Sequence, residues 1–185
     1  MKKVFNVRLF DNLPASLKPS DYIDMLLFLL GYKRCVRLGY NSQKTYNEMV
    51  KWCNKSGYAY VISSEGFMYI SKNKILSVIA QNVDDSKYKH SYFLGRLFGY
   101  PKCCCKQISL ISENEIDDYE YHFCKTHSFE KPYDIINPDG YIYGNAYISH
   151  IPCCSKCKKS LKIASEAKAT IEKYQTHSNM KTWIQ

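Results

Sequence analysis

Two short stretches constrain this chain more than any others: GYPKCCCKQ at residues 99–107 and HIPCCSKCKKS at residues 150–160. Between them they hold six of the nine cysteines, so any fold must decide whether to bring the two groups together or keep them apart. Such a density of thiols means disulfides or metal. The opening MKKVFNVRLF has Arg8 within it and Asp11 just after it, which breaks any signal-peptide core, and YIDMLLFLLG is about half of what a membrane span requires, with Asp24 inside it. Lacking an export signal, the chain is placed in the cytoplasm, where stable disulfides are rare. Thiols held for metal or redox chemistry are the better reading.

At 185 residues and 45% hydrophobic, the chain can bury a core as one domain or as a small pair sharing one. Its formal charge of +9 invites a polyanion partner, yet 22 of the 26 basic residues are lysine, in a composition also rich in asparagine, isoleucine and tyrosine, as an AT-rich genome would produce. Distribution is more informative than the total. Residues 1–100 carry fifteen basic and seven acidic side chains, residues 101–149 four and eight, and residues 150–185 seven and two. Basic surface flanks an acidic middle.

The spacing predicts a strand over KVFNVRLF and a helix over 21–30, capped by Ser20 or Asp21, apolar nearly all round and stopped by Gly31. KRCVRL reads as a strand, and Tyr46, Met49, Val50 and Cys53 mark a helix ending at Gly57. YAYVISS and FMYIS around Glu65-Gly66 read as a hairpin, while KILSVIAQN fits strand or helix. A helix runs from Asp85 or Ser86 to Phe98, with Gly99 after it and Pro101 opening the next. YIYGNAYI suggests a second hairpin around Gly144-Asn145. Leu161, Ala164, Ala167, Ile171 and Tyr174 mark a final amphipathic helix that starts near Cys157. The class is α+β: a small mixed sheet with packed helices in an N-terminal layer (1–82), then a cysteine-rich helical half (83–185).

Thiolates at helix starts, among lysines, are the soft donors that zinc and iron–sulfur clusters use. Three adjacent residues on a helix point about 100° apart, so Cys103, Cys104 and Cys105 do not all serve one ion. A zinc ribbon needs two CxxC knuckles, and only Cys154 to Cys157 supplies one. Cys35 and Cys53 lie within apolar periodicity and read as ordinary core cysteines. His122, Cys124 and His127 match no standard site, and the seventeen tyrosines read as core and sheet residues with wet tips. There is no phosphate-binding glycine loop, no GxSxG elbow and no HExxH.

Gly99, Tyr100, Pro101, Cys103 and Cys104, with His150, Pro152, Cys153 and Cys157 downstream, resemble a mostly archaeal and bacterial cysteine-motif family with GYPxCC and HxPCxxxC elements, a domain of unknown function. The resemblance covers about residues 90–165 and implies a shared site rather than an activity. Where that pattern tends to have serine after the PC pair this chain has Cys154, which sets Cys154, and likewise Cys105, apart from the ligands.

The sequence therefore points first to a cluster, four-iron four-sulfur in type, held by Cys103, Cys104, Cys153 and Cys157, with His150 as a catalytic group beside it. An iron left open would act as a Lewis acid or in sulfur transfer on a small-molecule substrate, as in a lyase, or the cluster would serve a redox partner. The alternative is zinc in a nucleic-acid-binding module, closed by four ligands such as Cys104, Cys153, Cys157 and His150, with the lysines from 156 to 168 meeting phosphate. A metal-free thiol or persulfide enzyme comes third.

Overall fold

The apolar run from Tyr22 becomes the buried helix against which the rest packs. The structure, a computed structural model, describes residues 7–40, 42–86, 90–141, 143 and 145–174. These form helices α1 (Val7–Asp11), α2 (Pro19–Leu29), α3 (Gln43–Ser56), α4 (Lys74–Asp84), α5 (Ser91–Leu97), α6 (Lys102–Ile108), α7 (Ile116–Thr126) and α8 (Lys158–Tyr174). Strands β1 (Cys35–Gly39), β2 (Ala59–Ile62) and β3 (Phe67–Ser71) complete an α+β fold. The sheet is antiparallel throughout, in the order β1-β3-β2, with Val36 opposite Ile70 and Tyr60 opposite the same residue on the other side. A mixed sheet is thus replaced by a simpler one, because each β3 neighbour runs the other way.

Helix α2 buries Ile23, Met25, Leu26, Leu27 and Phe28. It starts earlier than Ser20, because Pro19 suits the first turn and Asp21 folds back to accept from the Lys18 N–H at 3.2 Å. Around it one core gathers side chains from Phe10 through Met49, Ile70 and Ile148 to Ile171, drawing on both halves of the chain. On α8, Ala164, Ala167 and Ile171 face this core.

Three local expectations are corrected and one open reading is resolved. The segment from Val7 is helical rather than extended, and residues 3–6 lie outside the described ones. Tertiary packing outweighs β-branched content there: Phe10 enters the core and the Leu9 carbonyl accepts from Trp52 Nε1 at 2.9 Å. KILSVIAQN is helix α4, since Asn73 caps it by accepting from the Ile75 N–H at 2.9 Å, and Ser77, Ala80 and Asp84 form one buried stripe. Helix α5 then starts only at Ser91, with residues 87–89 outside the described ones. Around Asn145 no strand is present among the described residues. The Asn145 and Ala146 N–H groups both turn back to the Gly140 carbonyl, at 2.8 and 3.2 Å, and are not free for a ladder.

Gly99 closes α5 with φ of 81° and lies against the backbone after α2: a Cβ there would overlap the Tyr32 carbonyl and lie 3.0 Å from Lys33 Cα. Gly57 has φ of 72° but open space around it. Alanine at Gly57 should therefore cost about 1 to 2 kcal/mol, the left-handed penalty alone. Gly99→Ala adds a backbone collision and should cost roughly 3 kcal/mol or more in urea unfolding. Equal losses for the two variants would mean that the contact with Tyr32 is not tight.

Candidate metal centre

Helix α6 begins immediately after Pro101, which places Cys103 and Cys104 in its first turn. Their sulfurs are 3.9 Å apart and turn toward the start of α8, where Cys157 immediately precedes the first helical residue. Cys157 Sγ lies 4.0 Å from Cys103 Sγ and 3.8 Å from Cys104 Sγ. Cys153 completes the set, and all four sulfurs lie within 4.8 Å of one another. Cys104 and Cys157 are buried, Cys103 and Cys153 partly so. This is the one grouping of metal-ligating side chains of its kind among the described residues.

The other thiols stand apart for visible reasons. Cys105, next on the helix, points to the opposite side and packs on α5, where a side chain at Gly95 would meet its sulfur at 3.0 Å. Cys154 is exposed in the turn that the Cys157 N–H closes on the Cys154 carbonyl at 3.1 Å. Cys124 and His122 are on α7 outside the group, and His127 stacks on Phe123 with ring centroids 4.2 Å apart. Cys35 and Cys53 are fully buried, and burial pushes each thiol up to about 12, so they are inert core residues.

Ser160, one turn into α8, is the residue that sequence reasoning missed. Its hydroxyl lies 3.3 Å from Cys157 Sγ, 3.5 Å from Cys104 Sγ and 2.9 Å from His150 Nε2. Its spacing of three from Cys157 put it on the same helical face, and that was the available signal. The Cys104 thiol and the Ser160 hydroxyl and N–H draw the Cys157 thiol well below its ordinary range, whereas Cys104, as the donor to Cys157, and the partly buried Cys153 are pushed up. A dication bound there would release the protons its thiol ligands carry.

His150 sits behind Ser160, not against the sulfurs. It packs on Tyr100 with centroids 5.0 Å apart, and burial, then the Lys33 charge, lower it to about 3, so it is neutral. Lys33 Nζ lies 5.2 Å from the Tyr100 ring centroid and pairs with the buried Asp24 at 2.7 Å. Burial opposes the Lys33 charge, but Asp24 outweighs it and holds the ammonium above its usual range. Tyr141 also hydrogen-bonds to Asp24. The only sign of this pair in the sequence is Asp24 inside an otherwise apolar run.

Beside the centre a cleft of about 440 Å³ opens, sharing Cys104 with it and lined by Arg37, Tyr100, Glu120, Tyr141 and His150 among others. Ser149 Oγ, next to Tyr100, is closed off from solvent there without a completed hydrogen bond.

Comparison of the chain with protein-family models, with curated proteins and with solved structures returns no match.

Removing one half of the buried pair tests the support beneath Tyr100. Lys33→Met leaves Asp24 charged and unpaired in the core and should cost roughly 3 to 5 kcal/mol, whereas Lys33→Met with Asp24→Leu should recover most of it. Urea titrations of the two variants read the difference, and a double variant as unstable as the single one would refute the account.

Proposed function

We propose that this chain is a zinc-binding domain in which Cys103, Cys104, Cys153 and Cys157 hold one tetrahedral ion as a closed structural centre. The supporting observation is the sulfur spacing. Zinc–sulfur bonds of about 2.3 Å in a tetrahedron set sulfurs roughly 3.8 Å apart, and three separations here are 3.8, 3.9 and 4.0 Å. A four-iron four-sulfur cluster needs its ligand sulfurs roughly 6 to 7 Å apart, and fitting one would push α6 and α8 away from each other. The cluster expected from cysteine chemistry alone thus has less support than the single ion. Four protein ligands also leave no open coordination position, which suits a structural role.

Ser160 serves that role from outside the ligand set. Its hydroxyl and N–H both reach Cys157 and stabilise the thiolate, as hydrogen-bonding partners of metal ligands do. The centre fastens the start of α6 to the start of α8, and with them Tyr100 and His150.

Protein purified without chelator should carry one zinc per chain, with no sulfide and no visible absorption. Serine at Cys103, Cys104, Cys153 or Cys157 should remove most of the metal and lower stability, while serine at Cys105, Cys154, Cys35 or Cys53 should leave metal content intact. Iron and sulfide in equal amounts, or metal retained in all eight variants, would overturn the proposal.

Nucleic-acid binding is a second reading, favoured by one observation. Lys102, Lys106, Lys156, Lys158, Lys159 and Lys162 are exposed on the segments that carry the ligands, and none is paired with a carboxylate among the described residues. Binding of single- or double-stranded nucleic acid through these lysines should weaken steeply with added salt and fall further when Lys158 and Lys159 are both changed to Gln. A salt-independent or absent interaction would remove this reading.

A further inference from the structure

We propose that the cleft beside the thiolate centre binds a small organic cation, an amine or amidine on an apolar or aromatic body, with His150 Nδ1 accepting a hydrogen bond from it. The inference goes beyond the zinc reading and rests on geometry: the Ser160 hydroxyl donates to Cys157 Sγ at 3.3 Å and sits 2.9 Å from His150 Nε2.

Proton counting along the contact chain gives the role of His150. Ser160 has one O–H, and it donates to Cys157 Sγ at 3.3 Å. His150 Nε2, 2.9 Å from the same oxygen, must then be the donor. A neutral imidazole with its proton on Nε2 carries a lone pair on Nδ1, and the ring lines the cleft. The centre thereby sets the tautomer of a residue it does not bind.

The rest of the lining asks for the same kind of ligand. Its one cation, Arg37, is already neutralised by Asp84 at 2.8 Å and lies over the Phe67 ring. Glu113, Asp117 and Glu120 also line the cleft, and none has an ion-pair partner among the described residues. Ser149 Oγ, shut off from solvent, lies beside Tyr100 on the same wall. Phe98, Ile108 and Ile148 supply apolar surface between these groups. A volume of about 440 Å³ is that of a small-molecule site. An anion would meet unpaired carboxylates and a lone pair, and a neutral alcohol would leave the carboxylates unmatched.

Three probes with one body separate the charges: phenethylamine, phenethyl alcohol and phenylacetate, titrated into zinc-loaded, 15N-labelled protein. Phenethylamine should saturate, shift the amides of Gly95, His150 and Ile151, and bind at least tenfold tighter than the alcohol, with phenylacetate giving no shifts. Glu120→Gln should weaken the amine about tenfold, and His150→Phe, which keeps a ring against Tyr100 but removes the acceptor, should do likewise. Thermal melting and zinc content show that the variants remain folded. Equal affinity for amine and alcohol, preference for phenylacetate, shifts confined to residues away from the cleft, or no binding at millimolar concentration would overturn the proposal. A sample with one zinc per chain and no amine binding defeats the cleft assignment alone. Amine binding by a sample that holds no zinc defeats the zinc reading while leaving the cleft.

Discussion

Four sulfur atoms from segments some fifty residues apart share one small volume, and the helical half of the molecule is arranged around that meeting. Closing a loop of this length costs on the order of 3 to 4 kcal/mol in chain entropy, and crowding partly buried thiols together offers little in return without an ion. A structural zinc contributes about 10 to 16 kcal/mol in small thiolate domains, enough to offset that closure many times over. Helices α6 and α8 make the arrangement possible because both begin at the centre. Their first turns present N–H groups and positive dipole ends to sulfurs that must be anionic to bind metal.

The residues just before α6 connect this centre to the N-terminal layer. Gly99 lies against the backbone at Tyr32, a position no side chain can share, and this delivers Tyr100 onto Lys33. Tyr100 then has the Lys33 ammonium near its ring and His150 packed on it, while Pro101 starts the helix that carries the ligands. Lys33 can be buried only because Asp24, on the most apolar helix of the protein, is buried with it. A charge pair inside the core, a glycine contact and a thiolate centre thus form one continuous set of dependencies.

How much of this was legible follows from the range of each interaction. Helix α3, the hairpin of β2 and β3, and α8 are encoded by local periodicity, caps and turn residues, and they emerge close to their expected limits. Gly57 and Glu65-Gly66 are signals that act within a few residues. The segment at Val7 and the run from Lys74 were misread or left open because their conformation is decided by Trp52, by the sheet and by Asn73, not by composition. The grouping of Cys103, Cys104, Cys153 and Cys157 was legible because cysteine is unmistakable and the two motifs hold all four. The size of the centre was not, since sulfur separations of 4 Å or 6 Å depend on how two helices dock. Ser160 and the Lys33–Asp24 pair were missed because each contact is made only by tertiary packing: Ser160 meets Cys104 and His150 as well as Cys157, and Lys33 meets Asp24 once both are buried.

A closed centre changes where chemistry has to be sought. With four thiolates around one ion, as proposed, no ligand position would remain for a substrate, and the metal would act on its surroundings through geometry and charge alone. The route outward is short: Cys157 fixes the Ser160 proton, Ser160 fixes His150, and His150 faces the cleft. Cys104 borders both the centre and the cleft, so displacement of the ion would alter the cleft wall as well as the fold. The charge pattern of the chain follows the same division. Lysines crowd the outside of the ligand-bearing segments, whereas the acidic middle of the sequence supplies the wall of the cleft through Glu113, Asp117 and Glu120. A strongly basic protein has in this way enclosed a pocket of acceptors, and a cation that enters it leaves a repulsive exterior for the one place where its charge is matched.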